Sequence, residues 1–254
     1  RTDRDNFDLK LTWQRTPTHT VWGRFGVLDA EVEDNFILGW DDGSLGDTRV
    51  YVAAVGHTWT LSPRLVLDGT IGLNFLDQQV TGPDYGTNIG SDVLGIPGTN
   101  GADVRQSGMP DFSSVYRLGT LSYFPLFRHD RSYTLSSALT WSSGRHQVRA
   151  GFDVVRHELN HYQAELGGGG VRGGFTFTGL ETSAPGYVPL GWNGFAAFLL
   201  GLAGSTGKEK QAEEMTGREW QLAFFASDRW RLGGRLTLDL GLRAEFYPLM
   251  KRAD

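Results

Sequence analysis

The chain contains no cysteine among its 254 residues. Disulfide frameworks and thiolate metal sites are thereby excluded. Long apolar runs are missing as well. The longest, Phe195 to Leu200, falls far short of the ~18–20 residues that a spanning helix requires. Neither charge sign dominates: 24 basic and 29 acidic residues leave a net charge of −5, which argues against nucleic acid as a partner. No signal peptide is recognisable. The chain opens on Arg1 almost directly in a strand pattern and stops soon after another. Both ends are therefore expected to be cuts within a longer polypeptide.

What remains is rich in glycine (35 residues) and aromatics (12%, with eight Trp). Membrane β-barrels and soluble β-sandwiches share that composition, so order along the chain has to decide. Period-two alternation is the main signal. Phe7, Leu9, Leu11 and Trp13 alternate with Asp8, Lys10 and Thr12. Leu65, Leu67, Ile71, Leu73 and Phe75 alternate with Asp68, Thr70 and Asn74. Tyr133 to Trp141 and His146 to Val154 repeat the pattern, and Trp220 to Phe246 forms the clearest hairpin. These strands run about 10–13 residues, against about 5–6 in ordinary sheets. A tilted strand crossing a membrane needs about 9–11. Tight turns near Thr16, Ser62, Gly144 and Gly233 alternate with long loops at 29–47, 77–112 and 160–215. Outer-membrane barrels have short periplasmic turns and long extracellular loops. The expected fold is all-β, an antiparallel transmembrane β-barrel fragment of about 8–10 strands. A short helix over 193–202, capped by Asn193, is expected in the last long loop, with Phe195, Phe198, Leu199 and Leu202 on one face.

In such a barrel, Trp13, Trp59, Trp141 and Trp230 beside the short turns, and Trp220 and Tyr247 at the opposite ends, form aromatic girdles against outer-membrane lipid. Asp68, Asn74, Arg149, Asp153, Arg243 and Glu245 lie opposite apolar faces. They are expected to face the lumen, since Arg or Lys facing lipid costs ~2–4 kcal/mol at midplane.

Motifs for chemistry are few. His157-Glu158-Leu159-Asn160-His161 matches the zinc signature H-E-x-x-H, with Glu181 downstream as a third ligand. That signature requires a helix, and the preceding residues alternate with period two. In a strand at ~3.3 Å per residue the two His lie ~13 Å apart, whereas zinc binds at ~2.0–2.1 Å. The metal reading is rejected, and with it a zinc peptidase. The acidic run Asp41 to Asp47 suits calcium in composition but not in EF-hand spacing, and reads as a solvated loop. Gly167 to Gly174 lacks the Gly-Lys-Ser/Thr ending of a phosphate loop and reads as a linker. No catalytic residue and no cofactor is expected.

Several segments resemble the barrel of TonB-dependent receptors of the Oar-like, acidobacterial type. They are Asp5 to Lys10 with Val21 to Phe25, Asp84 to Gly90 with Val93 to Asn100 and Arg105 to Gly108, Pro125 to Arg128, Gly151 to Asp153, Asn193 to Leu202, and Gln221 to Tyr247. Each is weakly specific alone; their order covers nearly the whole chain. The resemblance implies a transporter of about 22 strands with a plugged lumen, energised by TonB and taking up a large substrate, a glycan or a peptide. It implies that lumen charges hold the plug through salt bridges. Tyr85, Asn88, Asn100, Arg105 and Gln106 in the second long loop are its expected substrate contacts. Plug, TonB box and terminal aromatic signal are not recognisable here, so residues 1–254 are read as part of a receptor barrel. A stand-alone outer-membrane barrel or adhesin is the alternative, followed by a soluble β-sandwich binding module.

Overall fold

The computed structural model describes residues 1–34, 43–119, 121–163, 169–211 and 213–253. Twelve strands and one α-helix organise them. In chain order the strands are β1 (Thr2–Thr16), β2 (His19–Glu33), β3 (Leu45–Ser62), β4 (Leu65–Thr81), β5 (Asp111–Ser113), β6 (Arg117–Leu118), β7 (Leu126–Ser143), β8 (His146–Gln163), β9 (Gly174–Thr176), β10 (Ser205–Gly207), β11 (Met215–Arg231) and β12 (Thr237–Phe246). The helix α1 spans Gly191–Leu199.

Eight long strands form one antiparallel sheet in the order β1-β2-β3-β4-β7-β8-β11-β12. Nearest neighbours in sequence pair throughout, as short turns dictate. β1 and β12 are the two edges. The register is continuous, so alternation sorts every side chain onto one of two faces. One row reads Leu11, Gly23, Val55, Ile71, Leu135, Val154, Leu222 and Phe246 across all eight strands. The adjoining rows of that face carry Leu9, Phe25, Leu73, Tyr133, Phe152 and Phe224.

Among the described residues nothing packs on the middle of this apolar face. Ile71 is 59% and Leu242 84% exposed. Soluble monomers seldom expose apolar patches beyond a few hundred Å². The sandwich alternative required these side chains to meet in a closed core, and the eight-stranded sheet makes no such core.

The strands run past the expected boundaries. The loop expected at 29–47 is shortened by β2 reaching Glu33 and β3 starting at Leu45; β4 continues to Thr81 and β8 to Gln163. Backbone pairing continues there, although charged residues replace the greasy ones. Asp41 and Asp42 of the acidic run and Gly167 and Gly168 of the glycine run lie outside the described residues.

The two remaining long segments fold together as an insert. Its own sheet has the order β10-β9-β5-β6, with β5 and β9 parallel. Phe112, Phe177 and Ala197 form its buried centre, and Ile96, Met109, Leu118, Phe175 and Phe198 pack around them. The helix differs from expectation at both ends. It begins at Gly191, two residues before the expected cap, and stops at Leu199, leaving Leu199 exposed. Asn193 reaches back from the first turn: its Oδ1 accepts the Leu190 N–H at 2.9 Å and its Nδ2 donates to the Thr182 carbonyl at 2.8 Å. Asn193→Ala is expected to cost about 1 kcal/mol, the usual worth of such a cap. Faster amide exchange confined to 190–199 would register it.

Candidate functional site

The polar face of the long sheet is a lattice of side chains that satisfy one another. Arg24 reaches Asp8 at 2.6 Å and Arg229 reaches Asp239 at 2.7 Å. Arg243 is held by Asp153 at 2.9 Å and Glu245 at 2.6 Å. Thr58 donates to Asp68 at 2.7 Å. Asn74 stands exposed on the same face, between Val52 and Ser132. All six expected polar-face residues share one side of the sheet, yet only Arg149, Asp153, Arg243 and Glu245 gather in one place. At its centre lies Phe225, with Arg149 at 5.8 Å and Arg243 at 5.9 Å from the ring.

Two aromatics stand on this face: Trp22, which alternates with Val21 and Phe25 in the sequence, and Phe225, which went unnoticed there. Each lies on a glycine. A Cβ at Gly151 would meet Phe225 at 2.7 Å and the Ser137 carbonyl at 2.4 Å; one at Gly56 would meet Trp22 at 2.5 Å. Glycine inside a strand marks such close approaches, and that was the available signal. Gly151→Ala is expected to cost about 1–3 kcal/mol, the range for overpacking, because the clash includes backbone. Thermal unfolding in micelles gives the value.

On the apolar face, Trp13, Trp59, Trp141 and Trp230 stand beside the short turns, with Trp59 stacked on His19 at 5.1 Å and Trp230 on His146 at 5.3 Å. At the other end Tyr51, Phe75, Tyr133 and Trp220 close the apolar band. Tyr247 departs from expectation. It follows the last residue of β12, and its hydroxyl is held by Glu245, which raises the phenol's pKa. Phe246 occupies the apolar-face position instead.

His157 to His161 lie within β8, where the two imidazoles sit four strand residues apart. His157 Nδ1 meets Ser132 Oγ at 2.9 Å, and Glu158, on the opposite face, holds Arg156 at 2.7 Å. Glu181 is in a short turn of the insert.

The insert sits against the long-loop end of the sheet. Fully buried Tyr162 is the joint: Arg105 lies over its ring at 4.3 Å, and Phe127, flanked by Tyr85 at 6.0 Å, packs beside it. Asp103 grips the Arg105 guanidinium, and this bonding holds the carboxyl below its ordinary pKa. Burial raises the Tyr85 phenol, with Asp103 adding to the effect. Arg172 is buried beside Asp84 and Asp111; burial lowers its pKa and the two acids oppose that.

Of the expected substrate contacts, Asn100 is excluded by position. It is 1% exposed, in a left-handed conformation at φ 50°. Its amide accepts from Ser91 N and donates to the carbonyls of Gln106 and Gly108. Arg105 is occupied as a clasp. Tyr85, Asn88 and Gln106 are half-buried. What the sequence did not reveal is an aromatic cleft. Tyr116, Trp192 and Phe195 meet edge to face, and beside them a cavity of about 370 Å³ is lined by Phe112, Ser114, Tyr116, Leu118, Phe195 and Phe198.

Two solved structures share the fold. The outer membrane transporter YddB from Escherichia coli superposes with a TM-score of 0.55 at 12% identity, over 96% of this chain and 27% of that one. The copper transporter OprC superposes with a TM-score of 0.50 at 13% identity, over 96% and 28%. The chain thus spans about a quarter of their length. No curated protein matches it. The family model described as outer membrane beta barrel domain matches residues 1–254. The chain therefore belongs to the outer membrane β-barrel domain family and resides in the outer membrane.

Proposed function

We propose that residues 1–254 are part of the barrel of a TonB-dependent transporter, with the polar face turned to the lumen and the insert on the extracellular side. The observation that carries this is the two-faced eight-stranded sheet. One unbroken side is apolar from β1 to β12, and the other pairs its charges laterally, as a wet interior demands. The solved relatives named as outer membrane transporters support transport as the task. On this reading the Arg149–Asp153–Arg243–Glu245 cluster, Asp68 and Asn74 contact a plug, and Phe225 gives that cluster a stacking surface. The Tyr116–Trp192–Phe195 cleft, together with Tyr85, Asn88 and Gln106 elsewhere in the insert, is the first contact for a glycan or peptide, whose flat or apolar faces suit aromatic rings. The task needs no catalytic group and no cofactor.

The test is uptake by cells carrying the full-length gene. Labelled glycans and peptides are supplied to wild type, to a deletion of this gene and to a strain lacking TonB. The expected result is one substrate class whose uptake is lost in both mutants. Uptake that needs this gene but proceeds without TonB would overturn the energised reading. A deletion that alters only surface adhesion would favour a stand-alone structural barrel.

A further inference from the structure

We propose that Arg131 and Arg156 form a site for the phosphorylated headgroup of a membrane lipid, in the leaflet nearer the insert. On the polar face Arg24, Arg229 and Arg243 each grip a carboxylate. On the apolar face the balance reverses just above the greasy band. The register places Arg156 directly between Tyr133 and Trp220. The next row reads Phe75, Arg131, Glu158 and Arg218, and an isolated bridge adds Lys251 beside Arg218. Four cations thus gather around Glu158; Asp77, one row further out, is held by His129 at 3.0 Å.

Their bonding leaves capacity for an anion. Glu158 accepts from Arg156 at 2.7 Å, but the Arg156 Nε is buried without a partner. The Arg156 guanidinium lies 5.1 Å from the Trp220 ring and that of Arg131 5.8 Å from Phe75. Neither ring neutralises charge. Among the described residues Arg131 makes no ion pair. Arg218 spends its donors on the Leu159 carbonyl and the Asn160 amide oxygen, again without an acid.

Position selects the ligand. Aromatic belts mark the headgroup level of a bilayer, and arginine stems lie along apolar surface while their heads reach toward water. Guanidinium groups in excess of acids at that level meet phosphate esters, whose oxygens fit the planar donor fork in pairs. A soluble anion would have to reach the same atoms past the surrounding lipids. Headgroup binding is separate from transport and can be measured without uptake.

The full-length protein is placed in nanodiscs of phosphatidylcholine with a minor share of phosphatidic acid. Co-retained lipids are counted by native mass spectrometry. Wild type is expected to retain phosphatidic acid selectively, and Arg131→Gln/Arg156→Gln to lose about tenfold in retention, the size of one lost charge-assisted pair. Arg131→Lys/Arg156→Lys should keep part of it, because an ammonium is a point charge without the fork. Arg4→Gln, on the opposite face of β1, should leave it unchanged. If the double variant does not insert, Arg156→Gln alone carries the same test. Equal retention by wild type and the Gln variants, or no preference for phosphatidic acid in wild type, overturns the proposal. So does displacement by millimolar inorganic phosphate, which would mark a site for a soluble anion.

Discussion

Replacing Ile71 by arginine is expected to cost about 2–4 kcal/mol of stability in lipid vesicles, the penalty for a cation on the lipid face near midplane. Ile71 stands midway along β4, with Val55 and Leu135 directly opposite on either side. The arginine would have no acid within reach on that face, and the belts at both ends are several residues away. Thr70→Arg, one residue earlier on the polar face, places the same charge beside Gly56 and Ser136 instead. It is expected to change stability by less than about 0.5 kcal/mol, as surface substitutions generally do. Equilibrium unfolding in denaturant, followed in the same vesicles for both variants, gives the difference. Equal costs would mean that the two faces meet the same medium.

Asn100→Ala is expected to release the insert while the long strands stay paired. The substitution orphans the Ser91 N–H and the carbonyls of Gln106 and Gly108, of which the last bond is fully buried. Each unsatisfied buried group costs about 1–3 kcal/mol. Alanine also tolerates the φ of 50° less well than asparagine. Together the loss is about 3 kcal/mol or more. That is enough to open a small subdomain locally without unfolding the sheet. Limited proteolysis should then cut within 82–125 and 169–211, while the hairpins β3–β4 and β7–β8 resist. Cleavage spread evenly along the chain would show that insert and sheet fold as one unit.

Alternation made the central parts of the sheet readable. Between Leu65 and Phe75, or Leu236 and Phe246, one face meets lipid and the other does not, so the sequence has period two. Beyond the band neither face meets lipid, and the signal fades while the backbone pairing continues. That is why Glu33, Thr81 and Gln163 mark the true strand ends and the expected loops were too long. The insert was opaque for another reason. Its parallel pair joins Phe112 to Phe175, a contact remote in sequence that no local pattern announces. Asn100 looked like a solvent-facing loop residue because asparagine is common in turns. Its burial depends on Arg172 and Lys208 converging from distant segments. Tyr247 was misplaced by one position, and in a strand one position changes the face. The register sets Trp13, Trp59, Trp141, Trp220 and Trp230 on one side of the sheet.

The chain has no cysteine of its own, so once any cysteine elsewhere in the full-length protein is replaced by serine, each single cysteine introduced along 70–75 reports one site. With the full-length protein in intact outer membrane, Thr70, Gly72 and Asn74 replaced by cysteine should react with a water-soluble maleimide. Ile71, Leu73 and Phe75 should resist it, and a bimane placed there should be quenched by a brominated acyl chain. Uniform labelling across the six positions, or quenching at the even ones, would contradict a sheet with one side in lipid and the other in water.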